Sequence, residues 1–287
     1  MKGESCMIYL VLAIASSAAV ALLMRLSGKY SKHATAMLAS NYVVCCLLAA
    51  LFTSFEGITL QTEGMPMALG LGALNGVFYL AGFVLLKWNI QRNGVVLPAT
   101  FQKLGVLVPT FVSIAVFHEA LQPVQGVGIA AAVAAIILLQ GKSDAKQAGS
   151  IWGLIALLFG GGMGDAMSKI YEEIGPAPLN DQFLLFTFIS ALILCVLLCV
   201  VRKEKPDRWD ALFGALIAVP NYFSARFLLL SLGEVPAVVA FPSFSAGTII
   251  AVAVAGVLFF KEKLSRRKLI ALGLVLAALV LLNLKTA

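Results

Sequence analysis

Charged side chains are scarce in this chain. Asp, Glu, Lys and Arg supply only 12% of its 287 residues, against about 25% in an ordinary soluble domain. A soluble fold of this length could not hide the 61% of residues that are hydrophobic, whereas lipid is itself an apolar phase. Histidine is nearly absent: His33 and His118 lie far apart, so no Ser-His-Asp arrangement or histidine metal set can be drawn. Of Cys6, Cys45, Cys46, Cys195 and Cys199, only Cys195 and Cys199 sit one helical turn apart, and nothing completes a ligand set around them. The cysteines read as small packing residues. There is no paired acidic cluster and no glycine loop suited to phosphates. These absences argue against an enzyme, a bound metal, an organic cofactor and direct ATP drive. No segment is long or polar enough for a soluble domain.

What the chain does have is a series of long apolar runs. A hydrocarbon core about 30 Å thick takes roughly 20 residues of helix. Spans are expected near 7–26, 34–54, 66–88, 94–117, 122–140, 151–171, 181–201, 209–232, 235–260 and 267–284. Their continuity favours helices, since barrel strands would alternate apolar and polar residues. No small-residue cleavage site follows the first run, which is therefore read as a permanent helix and not a signal peptide. The loops are short, so successive helices should be antiparallel neighbours.

The net charge of +7 does not point to nucleic acid, because the basic residues cluster at the ends of apolar runs. Of the 21 Lys and Arg residues, Lys2, Lys169 and Lys285 fall on one face, and Lys103 and Arg226 fall inside spans. All the others follow spans one, three, five, seven and nine. The positive-inside rule places those loops in the cytoplasm and both termini outside.

Sliding the chain on itself by 143 residues aligns Tyr79, Leu85 and Leu86 with Tyr222, Leu228 and Leu229, and Val95 and Phe101 with Val238 and Phe244. It also aligns Phe117, Glu119 and Leu121 with Phe260, Glu262 and Leu264. Each half holds five spans, an odd number, so the second half enters from the opposite side. The expected fold is an all-α membrane protein of ten transmembrane helices in two inverted five-helix repeats, residues 1–143 and 144–287. Such repeats suit alternating access around a midplane site.

A charge in the bilayer is expensive and usually faces a cavity or a partner. Lys103 lies between Pro98 and Pro109, Arg226 follows Asn221 and Tyr222, and Asp165 ends the run Gly160-Gly161-Gly162-Met163-Gly164. The glycines let another backbone approach. Either cation has two readings, a solute contact or a pair with Asp165; Asp165 is a coupling candidate or a counter-ion. Two positive charges against one negative point to an anionic or zwitterionic solute. Gln102, Asn75, Tyr79, Asn221, Tyr222, Ser243 and Phe244 are candidate solute contacts on the cavity wall, with Asn41, Tyr42 and Ser245 beside them. Glu119 and Glu262 end their spans and read as end caps or loop contacts.

With its five-plus-five spans and the motif Phe117-His118-Glu119-Ala120-Leu121, echoed by Phe260-Lys261-Glu262-Lys263-Leu264, the chain resembles the drug/metabolite transporter superfamily in its EamA-like ten-helix form. Leu23-Met24-Arg25-Leu26-Ser27 also resembles the opening helix of the small multidrug resistance proteins. Ser17 stands where those relatives carry their essential carboxylate, and Gly161 is its counterpart in the second half if Lys169 is matched to their Lys, which argues against cationic-drug antiport. The resemblance implies a multi-pass protein of the bacterial cytoplasmic membrane, with termini in the cytoplasm, opposite to what the charges give. It implies a secondary transporter, more an exporter than an importer, of amino acids, organic anions or related metabolites. A proton or other ion gradient, or the solute's own, would drive it. Membrane lipid is a partner, and monomer and homodimer both stay open. Two further readings stay open: a lipid or lipid-linked sugar flippase, and a non-transporting membrane subunit or sensor.

Overall fold

The computed structural model describes residues 2–53, 62–116, 123–140, 151–232 and 237–283, and among them the regular structure is helical throughout. The helices are α1 (Lys2–Ser27), α2 (Ala34–Phe52), α3 (Met65–Asn93), α4 (Val96–Leu104), α5 (Leu107–Val116), α6 (Pro123–Gln140), α7 (Ile151–Ile174), α8 (Asn180–Val201), α9 (Arg208–Leu232), α10 (Ala237–Phe260) and α11 (Arg266–Asn283). A short 3-10 turn, Ala177–Leu179, precedes α8.

Seven helices among the described residues, α1, α2, α3, α7, α8, α9 and α10, contain stretches long and apolar enough to cross a membrane. Shorter apolar stretches cover Val96–Pro109 and Pro123–Ala135. Their outer faces carry large apolar side chains open to the surroundings, such as Leu51, Trp152, Val201 and Phe259, each about three-quarters exposed. Water would penalise that surface and acyl chains would not. The protein is an integral, multi-pass membrane protein.

Two sequence expectations need correction. Span three was expected to end at 88, but α3 continues to Asn93. It starts after Gly64 and stops at Gly94, whose φ of 83° and 79° are left-handed values that glycine adopts without a Cβ clash. Lys87, read as a loop residue, is therefore helical and only 1% exposed. Span four was expected as one run over 94–117, but it breaks between α4 and α5. Pro109 has no N–H to continue the ladder onto the Gly105 carbonyl. That carbonyl accepts the Val108 amide in a tighter turn, at 2.9 Å.

The helices pack in pairs that map onto one another when the halves are exchanged. α1 lies on α9, as α7 lies on α3; α2 lies on α9, as α8 lies on α3; α1 lies on α10, as α7 lies on α4 and α5. The contacts α2 with α8, α4 with α10, and α6 with α11 map onto themselves. A core including Met24, Tyr42, Leu86, Phe188 and Tyr222 fills the centre.

The loops after α1, α3, α8 and α10 gather at one end of the bundle. Arg25 donates to the Ile90 carbonyl at 2.8 Å, Lys32 pairs with Asp207 at 3.2 Å, and Glu262 accepts the Val95 amide at 2.6 Å. The lysine-rich loops foreseen from the charge pattern thus form one face. The basic segment at 141–150, His118 and Glu119 lie outside the described residues. At the other end Gly64 sits against Pro176, with no room for a Cβ.

Candidate functional site

The break between α4 and α5 puts Lys103 at the end of a short helix, beside α7. Closeness is possible because glycine meets glycine there. A Cβ on Gly105 would lie 2.9 Å from the Gly162 amide nitrogen, and one on Gly162 would run into the Gly105 carbonyl. The glycine run of α7 was expected to admit another backbone, and it admits this one.

Lys103 lays its ammonium 3.9 Å from the ring centroid of Phe244, on α10. Its electrostatic partner is Asp165 of α7, which also acts on Tyr79 of α3. Among the described residues Asp165 makes no hydrogen bond and no close ion pair. It is ringed by α3, α4 and α7, yet its side chain is exposed, while Gly164 and Ala166 on either side are buried. An exposed, unpartnered carboxylate halfway along a packed helix marks a recess that water can enter. Gly161, Asp165 and Ser168, which share one face of α7, are all open to some degree, and Gln102 lies against Gly161 at 3.4 Å from where a Cβ would be.

Around this recess the walls are polar and aromatic. Asn75 of α3 approaches Gly164 and donates to Thr187 at 3.3 Å, leaving its Oδ1 without a partner. The Tyr79 hydroxyl donates to Asn221 Oδ1 at 2.9 Å, and Asn221 in turn reaches Cys45 at 3.5 Å. Tyr42, fully buried, touches the rings of Tyr79, Phe83 and Phe188. Its hydroxyl and the Asn41 amide nitrogen have no hydrogen-bond partner. Ser243 is half-buried and Ser245 is buried beside Phe244.

Arg226 goes elsewhere. It does not join Asp165 but pairs with Asp181, in the first turn of α8, at 3.8 Å. It also donates to the Tyr222 hydroxyl at 3.0 Å and lies over Phe52 at 4.5 Å. Phe52 stacks on Tyr222, with centroids 5.7 Å apart. This cluster ties the ends of α2, α8 and α9 together on the face opposite the lysine-rich loops.

Two carboxylates close the lysine-rich face. Asp210, fully buried, accepts from the Ser31 hydroxyl and from the Lys32, His33 and Asp207 amides at 2.8 to 3.2 Å. Glu262 accepts the amides of Val95 and Val96 at the start of α4, at 2.6 and 3.5 Å. Both cross from one half of the chain to the other. The end-cap role foreseen for Glu262 is realised on the opposite half's helix. Asp210 was missed, although an Asp just after Pro206 and Asp207 at a helix start is an N-terminal signal. Lys87, also missed, donates to the Met24 carbonyl at 3.1 Å and to the Ser27 hydroxyl. Its position near a span end disguised its burial.

Residues 147–284 match the EamA-like transporter family. An uncharacterized protein of Haemophilus influenzae is 26% identical over 272 residues, covering 90% of this chain and 91% of that one. A crystal structure of another protein superposes with a TM-score of 0.61, covering 97% of each chain at 16% identity, a likeness of fold.

Proposed function

We propose that this chain, whose residues 147–284 match the EamA-like transporter family, belongs to that family and is a secondary transporter that exports small organic solutes by alternating access. Residues 1–143 and 144–287 are its two inverted repeats, crossing the membrane ten times, with the lysine-rich face toward the cytoplasm. One observation carries this reading: the packing pairs survive exchange of the halves. An inverted duplication leaves that pattern, and it gives two arrangements of similar energy in which either face can open.

The recess sets the solute class. Lys103 offers a cation to a carboxylate or other anionic group, and the Phe244 ring holds that ammonium in place until a solute arrives. Asp165 takes a solute ammonium, or carries a proton when the solute has none. An amino acid satisfies both groups; an organic anion satisfies Lys103 alone. Gln102, Asn75, Ser243 and Tyr79 supply the remaining hydrogen bonds, and Asn221 and Tyr222 orient the aromatic wall. Arg226, considered above as a solute contact, acts in this reading as part of the closed outer face with Asp181 and Phe52.

The test is a thermal-shift screen of the purified protein against amino acids and organic anions. Flux of any hit in liposomes follows, with and without a pH gradient. K103A and D165N are each expected to lower flux at least about tenfold, the loss of one charged contact. Unchanged flux of every hit in the K103A/D165N double variant would overturn the reading.

A further inference from the structure

A second site lies outside the recess, on the lipid-facing side of the bundle. Between α2 and α8, at the lysine-rich face, there is a cavity of about 460 Å³. Ala36 and Ala39 of α2 form one wall, one helical turn apart, and their small side chains leave the space. Val196 and Cys199 of α8 form the other wall. The lining is apolar except at the mouth, where the chain leaves α8 as Lys203, Glu204 and Lys205.

The mouth is shaped by an unusual turn. Lys203 has a φ of 53°, a left-handed conformation that normally falls to glycine at a helix C-terminus. The Lys203 amide bonds the Val200 carbonyl and the Glu204 amide bonds the Cys199 carbonyl, so the turn is a complete helix stop. A glycine there would relieve the backbone but remove the ammonium. Glu204 is accounted for: it pairs with Arg202 at 3.8 Å, and Arg202 also donates to Thr35 Oγ1 at 3.0 Å, bracing α8 against α2. Lys203 and Lys205 have no acidic partner among the described residues. Beside them the start of α2 is already met by Asp210, which accepts the Lys32 and His33 amides, so the free positive charge at the mouth is that of the two lysines.

We infer that this groove binds one anionic phospholipid, its phosphate between Lys203 and Lys205 and an acyl chain along Ala36, Ala39, Val196 and Cys199. Any lipid-facing helix meets acyl chains; this open groove adds an apolar lining to two lysines without an acidic partner among the described residues, the arrangement that selects anionic headgroups. Because α2 and α8 come from different halves, a lipid seated there bridges them.

The full-length protein, purified in mild detergent, is titrated with phosphatidylglycerol or phosphatidylcholine. Retained lipid is counted by native mass spectrometry, and Tm is followed in parallel. Phosphatidylglycerol should be retained as a single tight equivalent and raise Tm, with phosphatidylcholine doing neither. K203Q/K205Q should weaken retention about tenfold or more, and A39F should abolish it by filling the groove. K29Q/K263Q, which removes two lysines from the same face outside the groove, should leave it intact. Equal loss in K29Q/K263Q would reduce the effect to general surface charge and overturn the proposal, as would equal retention of phosphatidylcholine or indifference to both K203Q/K205Q and A39F. A Tm in phosphatidylcholine matching that of the unaltered protein shows that each variant is folded. The readout needs no solute, so its outcome is independent of the transport reading.

Discussion

The two ends of this bundle are tied together by different chemistry. At the lysine-rich end, Asp210 gathers four donors and Glu262 two, and both carboxylates bridge the halves through backbone amides. At the other end the charged closure described is a long pair, Arg226 with Asp181, on side chains 25% and 46% exposed, backed by the rings of Phe52 and Tyr222. Charge-assisted hydrogen bonds to buried carboxylates are strong, whereas an exposed pair at this distance contributes little. Among the described residues the lysine-rich end is therefore the more strongly bonded of the two.

The sharpest way to break that comparison is at Asp210. We predict that D210A lowers stability by about 2 kcal/mol or more, because it removes a buried carboxylate that holds four part-buried donors from both halves. Tm in detergent measures this, and a drop no larger than that of an exposed-charge variant would erase the asymmetry. The Glu262 clasp comes next. G94A forces a Cβ into the left-handed region at φ 79° and to within 2.6 Å of Glu262 Oε1, at a cost of about 2 kcal/mol. E262Q keeps the shape but removes the charge facing the start of α4, and should cost about 1 kcal/mol. At the opposite end D181N should change Tm by no more than about 0.5 kcal/mol equivalent. An effect as large as that of E262Q would make the two ends equals.

The smallest expected effect is a pH dependence at the rim. Asp207 is held below its usual carboxylate value by the hydrogen bond from Lys32 and by the Arg208 amide. Its stabilisation is fully present above the ordinary Asp pKa, about 3.9, and is lost as pH falls through the depressed folded value. K32Q should flatten that part of the acid profile in a Tm-versus-pH series; an unchanged slope would assign it to another carboxylate.

Much of the fold was legible because apolar run length is a direct physical requirement of the bilayer. Each expected span contains a helix, and four of the Lys-rich loops that charge counting grouped, those among the described residues, do meet on one face. The break after Lys103 was half legible. Pro98 and Pro109 announced a disturbed helix, but only the approach of Gly162 to Gly105 decided that the chain would stop and restart there. Lys103, Asp165 and Phe244 were each singled out from the sequence, yet their meeting depends on α4, α7 and α10 converging. Arg226 shows the limit. Its position inside a span marked it as important, but its partner, Asp181, sits at the start of another helix and carried no signal of its own. Asp210 and Lys87 were hidden for a related reason: near a span end, sequence cannot tell a solvated charge from one folded beneath a loop.

The amino-acid sequence by itself determined the phase this protein lives in, the places where it is helical, and which loops are basic, because those follow from transfer free energy and backbone hydrogen bonding along the chain. Only the tertiary structure decided which charges find partners. That choice is made across helices from opposite halves, over distances along the chain at which no local pattern specifies a neighbour.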